Sequence, residues 1–124
     1  MKNWKPIFIE NSKIPKWLSV FAPIEITAIT LGFIVLSSGE MSEITKNHET
    51  IHFQQYLETG FVGFILIYLL DYLLNLLKFR DGTKAYLSLR AEKEAYNMHE
   101  NLEYCQCRTR YMWLKSDAFT NLVD

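Results

Sequence analysis

All three prolines of this 124-residue chain, Pro6, Pro15 and Pro23, fall before residue 24, and none follows. A proline inside a helix loses a backbone hydrogen bond and clashes with the preceding turn, so long helices belong to the part of the chain beyond Pro23. The prolines themselves mark strand starts or edges rather than helix interiors. Segments 24–31 and 33–37 are rich in β-branched residues and flank Gly32, so two or three strands are expected before residue 39. Ser37-Ser38-Gly39 then signals a turn. Four helices are expected after it, near 43–59, 61–79, 84–101 and 103–116, with Ser42 or Thr45 as the first N-cap and breaks at Gly60 and at Asp81-Gly82. The expected class is α+β: a small N-terminal antiparallel sheet followed by about four helices, in a single domain over residues 1–124.

The first of these helices carries His48-Glu49-Thr50-Ile51-His52, an HExxH pattern. Residues four apart on a helix lie one above the other, so both imidazoles project from one face and can chelate one zinc ion. Glu49 lies about 100° around the helix, beside such a metal rather than on it. Its carboxylate can there take a proton from a water that the metal activates. Two exposed histidines on a surface helix are the plain alternative, but the chain has only three histidines and two of them fall into this pattern with a glutamate.

A chain of this length buries a core without metal or disulfide staples, so zinc here would serve chemistry before stability. The net charge of -1 leaves no basic stripe for phosphates, which argues against a nucleic-acid partner. Cys105 and Cys107, the only cysteines, are too close for a good disulfide and read as reduced thiols. A second metal site from His99, Cys105 and Cys107 lacks an evident fourth ligand. The N-terminal segment has no secretory apolar region or cleavage pattern, so a cytoplasmic location is expected.

Segment 61–79 admits two readings. It is apolar over 61–70 and again over 72–77 except for Asn75, as a transmembrane span or a membrane-docked helix would be. Asp71 interrupts it, and a carboxylate near a bilayer centre costs about 2.5 to 3.5 kcal/mol. The sequence therefore favours a buried core helix. In the membrane-associated alternative, Lys78, Arg80 and Lys84 would meet headgroups.

A catalytic zinc takes three protein ligands, and no histidine stands where a His-only site would need one. Glu92-Lys93-Glu94-Ala95-Tyr96 follows on a later helix instead. HExxH followed by a downstream glutamate is the gluzincin arrangement, and this segment resembles that family's ExEAD element with tyrosine in place of aspartate. The chain is similar to small gluzincin-like peptidases over roughly residues 24–114, through the strands before the motif, the HExxHxxQ of His48 to Gln55, and the aromatic and leucine-rich helix after it.

The resemblance implies a zincin-like fold, His48, His52 and Glu92 as ligands of one Zn2+ per chain, and Glu49 as general base of a zinc-dependent metallopeptidase acting on a peptide or protein substrate. It also implies an edge strand, 24–31 or 33–37, running along the cleft to bind extended peptide. Glu94 lies about 200° from Glu92 on a helix, so only one of the two can face the metal, and the family's spacing favours Glu92. Tyr96 departs from the family's aspartate, which orients a zinc histidine. A weaker contact from Tyr96, or another partner such as Gln55 or Asn97, must then do so. His99 could stabilise an oxyanion, and Trp4, Trp17 and Trp113 read as core and interface residues. A catalytically silent zinc-binding or assembly module, or a small membrane-associated protein with an accidental HExxH, are the competing classes.

Overall fold

Three short strands, β1 (Ile7–Ile9), β2 (Ala28–Leu31) and β3 (Ile34–Ser37), form one sheet in the order β1-β3-β2. Helix α1 (Ile14–Ser19) separates β1 from β2, and the rest of the chain is helical: α2 (Glu43–Phe79), α3 (Gly82–Leu87), α4 (Arg90–Met98), α5 (Tyr104–Cys107) and a 3-10 turn at Met112–Leu114. This computed structural model describes residues 4–20, 26–115 and 117–123, so residues 24 and 25 of the expected first strand lie outside the described residues. The class is α+β, as expected.

The sheet is mixed rather than antiparallel. β2 and β3 form the antiparallel hairpin, with Leu31 opposite Ile34 and Gly32 taking φ 65° at the first position of the two-residue loop, where a primed hairpin turn requires a positive φ. β1 runs parallel to β3, with Phe8 opposite Val35. The chain between them passes through α1 and β2, and a strand reached by such a crossover, not by a tight turn, pairs in parallel. Pro15 also differs from expectation: it opens α1, where its missing N–H costs nothing.

Ser42 caps α2 by accepting a hydrogen bond from the Thr45 amide at 3.1 Å. At Gly60 the backbone leaves the helix (φ 68°, ψ 159°), a region open almost only to glycine, and α2 is thereby divided into 43–59 and 61–79. The first half is buried between β2 and α4. Thr30 Oγ1 donates to the Glu49 carbonyl at 3.2 Å, Tyr56 OH donates to the Thr30 carbonyl at 3.1 Å, and Asn47 Nδ2 donates to the His99 and Asn101 carbonyls. Ile51, Ala95, Tyr104 and Cys105 form one apolar cluster behind this half, and Tyr56, Phe64, Ala91 and Trp113 form another.

The second half of α2 overturns the buried-core expectation. Val62, Ile65, Leu66, Leu69, Leu70, Leu73, Leu74 and Leu77 form a stripe at helical spacing, and every one of them is between 46% and 71% exposed. The polar groups of the segment point the other way. Asp71 is paired in bidentate fashion with Arg90 at 2.7 and 2.8 Å, and Asn75 Nδ2 donates to the Ala85 carbonyl. The carboxylate that argued against a place at the bilayer centre is thus neutralised on the inward face. Trp4 and Trp17 are also exposed, and of the three tryptophans only Trp113 is in the core.

Two expected helices are shorter than anticipated. Segment 84–101 is split because Leu89 turns extended (φ -61°, ψ 135°) to bury its side chain completely, separating α3 from α4. Segment 103–116 ends its helix at Cys107 because Arg108 leaves helical geometry (φ -66°, ψ 147°) and carries its guanidinium inward. Asp81 caps α3 by accepting from the Thr83 and Lys84 amides, after Arg80 closes α2 in the left-handed conformation.

Replacing Gly60 by alanine should strain the division of α2. Nothing lies within 4 Å of the added methyl, so the cost is conformational alone. It should amount to about 1–3 kcal/mol, read as a lowered urea midpoint at unchanged slope.

Candidate metal centre

The division at Gly60 lets α2 supply two walls of one cleft. Residues 43–59 present His48, Glu49 and His52, and 61–79 return Phe64, Ile65, Tyr68 and Leu69 over them. α4 adds Glu92 and Tyr96, residues 26–31, which include β2, line the cleft as well, and its volume is about 520 Å³.

Glu92 and the two histidines meet at this cleft. Glu92 Oε1 is 3.3 Å from His48 Nε2 and 3.2 Å from His52 Nε2, and Oε2 is also 3.2 Å from His52 Nε2. Charge-assisted N–H···O contacts are shorter, about 2.7–2.9 Å. Metal bonds of about 2.0–2.2 Å at tetrahedral angles would instead set neighbouring ligand atoms about 3.3–3.5 Å apart. The observed spacing is close to that edge, and the donor set of two imidazoles and a carboxylate suits zinc. Ligand atoms of His48, Glu49 and His52 also lie within 4.8 Å of one another. Glu94 does not reach this group; it is fully buried on the far side of α4.

The hydrogen bonds behind the histidines set their tautomers. Gln55 Nε2 donates to Glu94 Oε1 at 2.8 Å and to the Ala91 carbonyl at 3.2 Å, both groups that only accept. Gln55 Oε1 must therefore be the atom 2.9 Å from His52 Nδ1, and it accepts that ring's N–H. A neutral His52 then has its lone pair on Nε2, facing Glu92. Gln55 thus takes the orienting role for His52 that Tyr96 or Asn97 could have held. For His48 the partner is His99, with Nδ1 to Nδ1 at 2.9 Å. In the tautomer that frees His48 Nε2, His48 Nδ1–H donates to His99. The structure sets His99 behind a histidine ring, whereas the sequence suggested an oxyanion contact. Tyr96 packs edge-on against the His48 ring at 4.7 Å, and Asn97 Nδ2 donates to the Lys93 and Thr120 carbonyls.

Glu94 is held by a buried ion network. Arg108 Nε and NH2 donate to Glu94 at 3.1 and 2.7 Å, and NH1 and NH2 donate to Glu58 at 2.6 and 3.2 Å. Tyr104 OH donates to Glu94 and Trp113 Nε1 to Glu58. Among the described residues no fully buried side-chain nitrogen or oxygen is left without a partner. The network continues through Gln55 to His52.

Burial raises the Glu49 carboxyl to about 7, against the nearby His52, which lowers it. That is the range of an effective general base at neutral pH. Burial alone would lower His52, but the charge and hydrogen bond of Glu92, with Glu49, raise it to about 9. For Glu92, burial is outweighed by His52 and His48, and its carboxyl is held well below the usual range. His48 is lowered, chiefly by burial. Without a metal, the charge that balances Glu92 is a proton on His52.

Tyr68, whose OH donates to Glu92 Oε2 at 2.8 Å, was not singled out by sequence reasoning, nor was Arg108. Cys105 and Cys107 are free; burial raises the Cys105 thiol to about 11, and Cys107 is exposed. Neither joins His99, and among the described residues the close metal-capable group is His48, Glu49 and His52. Comparison with protein-family models, curated proteins and solved structures finds no match to this chain.

Two outcomes follow from this geometry. His52 carries a raised pKa, so its pairing stabilises the metal-free protein fully below pH 6.5 and is lost as pH rises through about 9. A zinc ion held there would have to displace that proton, so its affinity should rise about tenfold per pH unit within this window and flatten above it, as competition against a chelator would measure. Independence of pH would place the proton elsewhere. Separately, Gln55→Leu should weaken zinc binding about 10–100-fold, because His52 loses the acceptor that fixes its ring. Unchanged affinity would remove Gln55 from that role.

Proposed function

We propose that this chain is a zinc-dependent metallopeptidase of gluzincin type, with one zinc per chain. The observation that carries the reading is the Glu92 carboxylate at near-tetrahedral spacing from both imidazoles of HExxH, with Glu49 buried beside them. His48, His52 and Glu92 would hold the ion. Zinc bound there would supply Lewis acidity toward a scissile carbonyl and bring the ionisation of water toward neutral pH.

The chain's own groups do the rest. Glu49, with its pKa near 7, takes a proton from the attacking water and returns it to the leaving amine. β2 is an edge strand whose outer side lines the cleft, so an extended peptide can pair with its backbone. Phe64, Ile65 and Leu69 on the facing wall favour apolar side chains near the cut. The intact Glu49 counts against a silent zinc-binding module.

Glu49→Gln should keep one zinc per chain and the fold but lose about 10²–10⁴-fold in turnover on quenched-fluorescence peptides. Glu92→Ala should lose zinc. Glu94→Ala should instead cost about 3 kcal/mol of stability, because it breaks the buried Arg108 network. Zinc loss in Glu49→Gln, or a fully active Glu92→Ala, would show the roles to be assigned wrongly.

A further inference from the structure

We infer that the exposed face of the second half of α2 docks this protein onto an anionic lipid bilayer, lying in the interface rather than spanning it. The stripe from Val62 to Leu77 is about 23 Å long and apolar throughout, and only 6% of the most apolar 18-residue window is buried. It continues onto the β2–β3 hairpin tip: the Phe33 ring packs edge-on against Phe61 at 4.8 Å, and Leu31 and Phe33 are about half exposed. An apolar surface of this extent marks a partner.

The inward face decides against a span. Asp71 and Asn75 are bonded to Arg90 and to the Ala85 carbonyl, so one side of the helix belongs to the protein and only the other is free for lipid. Charge decides between lipid and a second copy. Lys78, Arg80 and Lys84 are exposed where the stripe ends, whereas the one carboxylate within 62–77, Asp71, is already paired and turned inward. The one carboxylate beside them, Asp81, already caps α3, so a copy of this face offers the three cations at most a single acid, whereas anionic headgroups match them all. Ile65 and Leu69 belong to both the stripe and the cleft lining, so docking would bring the cleft mouth to the bilayer surface.

The test is flotation of the full chain, purified in detergent, with phosphatidylcholine vesicles prepared with and without phosphatidylglycerol. The wild type should float with the mixed vesicles, and less with phosphatidylcholine alone or at high salt. Leu66→Gln, Leu70→Gln and Leu73→Gln combined, none of which lines the cleft, should reduce partition at least about tenfold while zinc content and helical circular dichroism stay unchanged. Lys78→Glu, Arg80→Glu and Lys84→Glu combined should abolish the gain from phosphatidylglycerol. Wild type that remains at the bottom as a discrete lipid-free dimer, or a leucine variant that floats like wild type, overturns the inference. His48→Ala should float normally, so bilayer docking stands or falls independently of the metal site.

Discussion

The guanidinium of Arg108, held between the carboxylates of Glu58 and Glu94, fixes the relation between the two helices on which the candidate site is built. Glu58 lies on the first half of α2, six residues beyond His52, and Glu94 lies on α4, two residues beyond Glu92. A slide or rotation of α4 against α2 would separate Arg108 from one carboxylate and leave charge uncompensated in the interior, at a cost of about 3–5 kcal/mol. Such a network is an expensive way to gain stability, since its members must be stripped of water. Its effect here is positional. By holding Glu94 it also orients Gln55 and, through Gln55, the His52 ring.

Much of the site was legible because it rests on local periodicity. His48 and His52 share a face by helix geometry alone, and the two-residue offset between Glu92 and Glu94 forces them to opposite sides of α4. The structure turns Glu92 toward the histidines and Glu94 toward Arg108. The helix breaks at Gly60 and Asp81-Gly82 and the Ser42 cap were legible for the same reason, each resting on the backbone chemistry of one or two residues. Long-range pairings were not legible. Arg108 and Glu58 are fifty residues apart, and nothing local tells an arginine that bridges two buried carboxylates from one that is solvated. The same holds for His99 against His48, and for β1, whose parallel pairing depends on where the crossover returns the chain.

The misreading of 61–79 has a different cause. Overall apolarity alone describes a core helix, and Asp71 taken without its direction counts only against a bilayer. Tyr68, Asp71, Tyr72 and Asn75 stand at i, i+3, i+4 and i+7, which places the polar side chains between 62 and 77 on one face, opposite the leucines. That period was present in the sequence. It describes a helix whose polar side faces the protein, the reverse of an ordinary surface helix.

This reversed helix ties the site to the surface. Tyr68 reaches Glu92 from its inward side while Leu66, Leu70 and Leu73 on the same helix face outward, so a single rigid element carries both a contact to the candidate metal ligand and the apolar stripe. Asp71 locks the element's rotation by pairing with Arg90, the first residue of the helix that presents Glu92. Rotation by even one residue, about 100°, would withdraw the Tyr68 hydroxyl, break the Asp71 pair and turn leucines into the cleft. The outward set of the leucines is therefore not slack left over by a small core. It is enforced by two polar contacts to α4, Tyr68 on Glu92 and Asp71 on Arg90.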